Sequence, residues 1–450
     1  MEHLKVINSS ITLVNKCIEN NSDTAYQNVA DKFLPIGPQT LKEHTLDWSK
    51  VNQTLIEDLY KLSIGELDRE TLKKEILQSF QNSRDTRDLV NVVDELYFSS
   101  NAINSITPLA YLVSNQNSAS ARTTTMKNIV QGLLSSPLDS APNLKGNNPL
   151  ESLLIKNIYQ LCQYKPFVNK RPTYLPFLAD MFTKDIKTLS ESPSYFLNEL
   201  ESLLSVYTFI YLTQLTIHLC ISDNRYKSPS AKPLYFILET ERASKERHEC
   251  NQYGYDYLFS KTRGMALSIF PILGYFGRIS SQPVWLASDD EDHELKEKVN
   301  EFNHALAVLF GEESQYEESL QAALNIGAAF QKQIFEESLK NSKKGSRKTA
   351  NKKVVDIFEK IFAAEFITDR KAAGKYFVLN SNMLILLTNL IIEGSNETKL
   401  LIDDVIEGFK QRGIWFDLKS KKALLKFYEN VGNIEKLSDS GDAVYVKTTI

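Results

Sequence analysis

The chain has 450 residues and a mass of 51.2 kDa, more than one core usually organises, since single cores rarely grow past about 250–300 residues. Its 42% hydrophobic and 24% charged residues exclude disorder for the chain as a whole. The net charge of −4 conceals an asymmetry: from Lys340 to Ile450 there are 20 Lys plus Arg against 14 Asp plus Glu, leaving 32 against 42 before it. A tail of +6 on a body of −10 points to an anionic partner for the tail, nucleic acid being the commonest.

The opening "MEHLKVINSSITLVNKCIENN" lacks the basic start, apolar block and cleavage site of a secretory signal, so a cytoplasmic protein is expected. Cys17, Cys162, Cys220 and Cys250 form no CxxC pair, which fits reduced thiols rather than a disulfide framework or a zinc knuckle. Residues 1–135 read as a helical domain. In "LDRETLKKEILQSF" Asp68 is placed to cap a helix whose Leu72, Ile76 and Phe80 share a face, and "RDLVNVVDELYF" repeats the pattern with Leu89, Val92, Val93, Leu96 and Tyr97.

"SSPLDSAPNLKGNNP", Ser135 to Pro149, is rich in helix breakers and marks an expected domain boundary. A central, mostly helical domain follows over 149–340. Its stretch Leu203 to Ile221 has the length of a bilayer span but carries Ser205, Thr208, Thr213, Gln214, Thr216 and His218 without a flanking cluster of positive charge, so a buried core helix is expected. "LYFILE" predicts a short buried strand near 234–239, and the acids Asp289 to Glu294 sit at the start of a helix whose buried face is Leu295, Val299, Phe302, Leu306 and Leu309.

The run "KNSKKGSRKTANKK", Lys340 to Lys353, holds seven basic residues and no acid, which predicts a solvated basic linker over 341–353. Lys343, Lys344, Arg347 and Lys348 are its candidate DNA contacts. The remaining 354–450 read as a compact unit. "NSNMLILLTNLIIEG" is an apolar helix, "ETKLLIDDVIEGFKQRG" a helix for Thr398 to cap and Gly413 to end, "GIWFD" a short strand, and "LKSKKALLKFYENVG" a helix with Lys419, Lys422 and Lys426 opposite its apolar positions. "NIEKL" and the alternating "AVYVKTTI" then form a hairpin around "SDSGD", where Gly441 is free to take positive φ. Helices followed by a hairpin predict a winged-helix-like module, although the short strand normally lies between the first and second helices. Lys419, Lys422 and Lys426 are its candidate DNA contacts, and docking to a protein is the competing use of the same face.

Catalytic motifs are sparse. There is no GxxxxGK[ST] loop, and His3, His44, His218, His248, His293 and His304 form no two-histidine metal spacing. Glu239, Glu241 and Lys245 follow the expected strand without the Asp/Glu-x-Lys spacing of a metal-dependent nuclease. No catalytic residue, metal or cofactor is therefore assigned.

"SDSGDAVYVK", Ser438 to Lys447, with "RGIWFDLKSKKALLKFY", Arg412 to Tyr428, resembles the C-terminus of the DptG family of DNA phosphorothioation-dependent restriction proteins. "PLYFILETERASKER", Pro233 to Arg247, is similar to a central stretch of that family, and these stretches together cover about a tenth of the chain. The resemblance implies a non-catalytic subunit in bacterial antiviral defence, working with DptF-like and DptH-like partners that carry the ATPase and helicase-like chemistry. The alternative is a stand-alone winged-helix DNA-binding regulator.

Overall fold

A computed structural model describes residues 2–22, 26, 32–37, 46–65, 69–79, 86–99, 102–112, 119–168, 172–221, 225–238, 250, 253–260, 264–287, 292–336, 346–371, 374–436 and 444–449. The chain is mainly α-helical. Its axis is the helix Pro193–Cys220, 28 residues and about 42 Å long. Proline at its first position costs no intrahelical bond, because that amide has no partner in any helix. Its apolar stretch is long and hydrophobic enough to cross a membrane, yet 89% of that window is buried inside the protein. Several polar residues within it are hydrogen-bonded: Thr216 returns its hydroxyl to the Leu212 carbonyl (2.7 Å), Thr213 to that of Ile210 (2.9 Å), and Tyr211 reaches across to the Phe33 carbonyl (2.9 Å). From Leu203 onward the helix is apolar nearly all round because neighbours cover it, Pro176–Ser190, Ala266–Gly277 and Ser381–Glu393 among them.

The body is built from helix pairs. Glu2–Glu19 packs on His293–Phe310, Trp48–Tyr60 on Ala121–Leu133, and Ala266–Gly277 on Leu320–Glu336. Of the acidic run only residues 292–294 are described, and there a helix starts as expected at His293, with Asp292 accepting from the Leu295 amide at 2.9 Å and Leu295, Val299, Phe302 and Leu306 buried. Asp68, Leu72, Leu89 and Phe80 lie outside the described residues or side chains, but Arg69–Ser79 is helical with Ile76 buried. The next helix departs from its expected face. Thr86–Val93 runs into a π turn, Asp94–Ser99, whose wider spacing rotates the face, so Val93, Tyr97 and Phe98 are buried while Val92 and Leu96 are exposed.

The two composition breaks do not separate cores, because apolar side chains from both sides of each join one contiguous buried cluster running from Ile7 to Val446. Residues 134–148 are pinned to the body: the Leu138 amide donates to the Leu59 carbonyl (2.8 Å) and the Ser135 amide to the Thr183 hydroxyl (2.7 Å). A two-residue ribbon, β1 (Leu62–Ser63) with β2 (Gln163–Tyr164), ties the first expected domain to the second. The solvated linker expected over 341–353 is corrected in its described part. Ser346–Ile357 is a helix with Asn351, Val354 and Ile357 buried, and residues 341–345 lie outside the described set.

Two small sheets organise the last third. In the first, β3 (Tyr235–Phe236) lies parallel between β5 (Lys375–Phe377) and β7 (Trp415–Phe416), and β4 (Ile367–Asp369) closes the edge antiparallel to β5. The expected strand near 234 thus forms, flanked on both sides by strands from the tail. Its unbroken apolar run follows from that double burial, with Phe209 edge-on to Phe236, Phe377 tilted against it, and Phe366 stacked on Phe209. In the second sheet, β9 (Val444–Lys447) is central between β6 (Lys399–Leu401) and β8 (Ile434–Lys436), all antiparallel. The hairpin expected at the end of the chain is β8–β9, and its turn with Gly441 lies outside the described residues.

Two local expectations change here. Thr398 does not cap a helix, because residues 399–401 extend into β6 and the helix begins at Ile402. The strand in "GIWFD" forms but joins the first sheet, while β6, between Ser381–Glu393 and Ile402–Gln411, pairs with β9.

Candidate nucleic-acid interface

The helix Leu418–Val431 is fixed at both ends and along one side. Asp417, buried, caps it by accepting from the Ser420 amide at 2.8 Å, and the Ser420 hydroxyl in turn accepts from the Leu238 amide at 2.9 Å. Gly432, with φ of 82°, takes the left-handed conformation that ends it. Leu424 and Tyr428 are completely buried, and the Tyr428 hydroxyl lies 2.6 Å from that of Thr388 on the neighbouring helix. Burial pushes the Tyr428 phenol well up from its ordinary range.

With 100° per residue, Lys419, Lys422 and Lys426 fall in one stripe opposite Leu424 and Tyr428. Lys422 and Lys426 are exposed and Lys419 is half-buried. Neither Lys422 nor Lys426 joins an ion pair among the described residues. The concentration of charge is local. Residues 381–449 hold nine Lys plus Arg against ten Asp plus Glu, whereas 418–431 hold four lysines against Glu429 alone.

On the outer face of the adjoining sheet the lysines are already occupied. Glu435 accepts from Lys399 at 2.6 Å and from Lys447 at 2.7 Å, which draws its carboxyl down to about 2, and Lys399 also sits 5.1 Å from the Tyr445 ring centre. Asp403 and Asp404 are exposed in the first turn of Ile402–Gln411 and favour the positive end of that helix.

The upstream candidates divide. Arg347 is not a solvated linker residue: its guanidinium lies 5.4 Å from the Phe310 ring and 5.5 Å from that of Phe335, and the next turn is anchored by buried Asn351 donating to the Phe335 carbonyl at 3.0 Å. A planar, weakly hydrated guanidinium stacks on rings where an ammonium stays in water, which is why one cation of a basic run is drawn into the body. Lys348 faces outward from the same helix, with Lys352 and Lys353 also exposed. Lys343 and Lys344 lie outside the described residues.

Sequence reasoning missed the residue pair that holds this unit to the body. Arg412, buried, donates from Nε to Asp185 Oδ2 at 2.8 Å and from Nη2 to Asp185 Oδ1, while Nη1 reaches the Gly408 carbonyl at 2.7 Å. Tyr207 donates to the same carboxylate at 2.5 Å. Burial works against the Arg412 charge, but Asp185 outweighs it and holds the guanidinium above its ordinary range; burial and the same carboxylate push Tyr207 well up. Isolated charged residues inside apolar stretches, as in "LADMFTKDI", are the signal that could have found Asp185.

Among the described residues there is no group of three or more His, Cys, Asp or Glu able to hold a metal ion, and all four cysteines are free thiols. His218 is buried, with its ring pushed down to about 4 by desolvation, and His3 lies 2.7 Å from the Ser280 hydroxyl. Glu239, Glu241, Lys245 and His248 fall outside the described residues. A comparison with protein-family profiles finds no match, and none of the characterised proteins searched matches the chain.

Proposed function

We propose that this chain is a non-catalytic, cytoplasmic subunit of a bacterial DNA phosphorothioation-dependent restriction complex, in which residues 381–449 act as a winged-helix module resting the Leu418–Val431 helix on duplex DNA. The observation that carries DNA contact is the stripe of Lys419, Lys422 and Lys426 on the outer side of a helix whose inner side is locked into the core. The winged-helix reading is supported by the element order of helix, strand, helix, helix and hairpin, with β6 paired to the last strand and the short β7 between the second and third helices given to the other sheet. The defence role and the partners, DptF-like and DptH-like proteins, rest on the resemblance carried by residues 412–447. The fusion of tail to body through Arg412 and Asp185, and through β3 between two tail strands, favours a unit that works as one piece over a body trailing a loose DNA-reading tail.

The test is purification of the tagged protein from its native host after nuclease treatment, with mass spectrometry of what stays bound. Co-purification of an ATPase and a helicase-like protein is the expected result. Recovery of the chain alone, together with tight duplex binding by the purified protein, would instead favour a stand-alone DNA-binding regulator.

A further inference from the structure

Resting on that reading, we infer that the Leu418–Val431 helix grips the phosphate backbone of duplex DNA without reading base sequence. A helix in the major groove discriminates bases through outward side chains with paired donors and acceptors: Arg to guanine, Asn or Gln to adenine, Asp or Glu to cytosine. Over the first three turns this helix exposes Leu418, Lys422 and Lys426, with Lys419, Lys421, Ala423, Leu425 and Phe427 half-buried. Ser420 is fully buried and committed to Leu238 and Asp417. The first outward acid and amide, Glu429 and Asn430, come only in the last turn, and Glu429 is held by Lys436 at 2.8 Å. What is offered to DNA is a row of ammonium groups, compact charges with rotatable donors that pair with phosphate in any sequence.

The surroundings narrow the contact further. In a helix-turn-helix the preceding helix crosses the DNA backbone. Here that helix, Ile402–Gln411, presents exposed Asp403 and Asp404 in its first turn, which oppose a phosphate there. Lys399 and Lys447 are engaged by Glu435 on the sheet face. Among the described residues of 381–449 the footprint therefore reduces to the exposed pair Lys422 and Lys426, about 6 Å apart along the helix. Two phosphates neutralised by Lys422 and Lys426 give a slope of log K against log salt of about −1.8, or roughly a 12-fold loss of affinity between 50 and 200 mM salt.

The experiment uses the full chain, a set of unrelated duplexes of about 20 base pairs, and a pool of random duplexes carried through selection. The expected result is affinities within about threefold of one another, no enriched motif, and the slope above. Lys422→Ala with Lys426→Ala should flatten the slope by about 1.8 on every duplex alike, while Lys422→Arg with Lys426→Arg should keep it. Enrichment of one motif, with a preference above about tenfold that is lost in the double alanine variant, would overturn the inference and leave DNA binding intact. Failure to bind any duplex at 50 mM salt would overturn the DNA reading itself, and this inference with it.

Discussion

Replacing Arg412 with methionine removes one half of an ion pair whose side chains are 2% and 0% exposed. The Asp185 carboxylate is then left in the core with only the Tyr207 hydroxyl, and the Gly408 carbonyl loses its side-chain donor. Removing one partner of a buried pair costs about 3–5 kcal/mol, most of it the desolvation of the charge left behind. With a urea dependence of about 3 kcal/mol per molar, the unfolding midpoint should fall by about 1–1.7 M. The assay is urea unfolding at neutral pH followed by circular dichroism and by the fluorescence of Trp415, measured in a background where Trp48 and Trp285 are phenylalanine. Trp415 stands three residues beyond Arg412 and reports the junction directly. The triple variant Arg412→Met, Asp185→Leu, Tyr207→Phe replaces the network by apolar groups and should recover to within about 2 kcal/mol of the parent. A single variant whose midpoint stays within about 0.3 M of the parent, or a triple variant no better than the single, would refute the argument that an uncompensated charge is the cost.

Three further outcomes are expected. His218 is neutral in the folded chain down to about 4 but titrates near 6.5 when unfolded, so its contribution is complete above 6.5 and is lost as pH falls toward 4, by about 3 kcal/mol; His218→Phe should flatten stability against pH over that window, read by denaturant titrations at pH 4.5, 5.5 and 7. Gly413 has φ of 86° and a Cβ there would lie 2.6 Å from Gln214 Nε2, the group that donates to the Lys232 carbonyl; Gly413→Ala should cost about 1–3 kcal/mol and shift the Trp415 emission, and an unchanged midpoint would count against strain at that turn. Asn389, 1% exposed, donates to Thr449 (3.0 Å) and accepts from the Thr449 amide (3.0 Å), so Asn389→Ala should cost about 1–3 kcal/mol and raise amide exchange in β9, whereas unaltered exchange would mean the last residues hold the sheet without it.

Much of the local structure was legible in the residues. The period of the apolar positions announces its helices because that signal acts within one or two turns, and the caps that the fold shows at Asp292 and Asp417 are equally local. The closing hairpin was equally readable from the alternation after Gly441, and the helix expected over 203–221 forms, with 89% of its apolar window buried. The lysine stripe at 419, 422 and 426 needed only helical spacing, and the fold places it outward.

The tertiary structure decided what depends on distant partners. β6 is three residues long and carries no periodic signal, so its pairing with β9, some 45 positions on, was invisible until the sheet formed. The same holds for β3, which finds both neighbours in the tail, and for Asp185 and Arg412, 227 residues apart in the chain. Arg347 reads as one more cation in a solvated run, and only the approach of Phe310 and Phe335 makes it part of the body. Local sequence sets period, caps and turns, because those energies are collected within a few residues. Which elements meet is settled by packing, where each contact is conditional on all the others being in place.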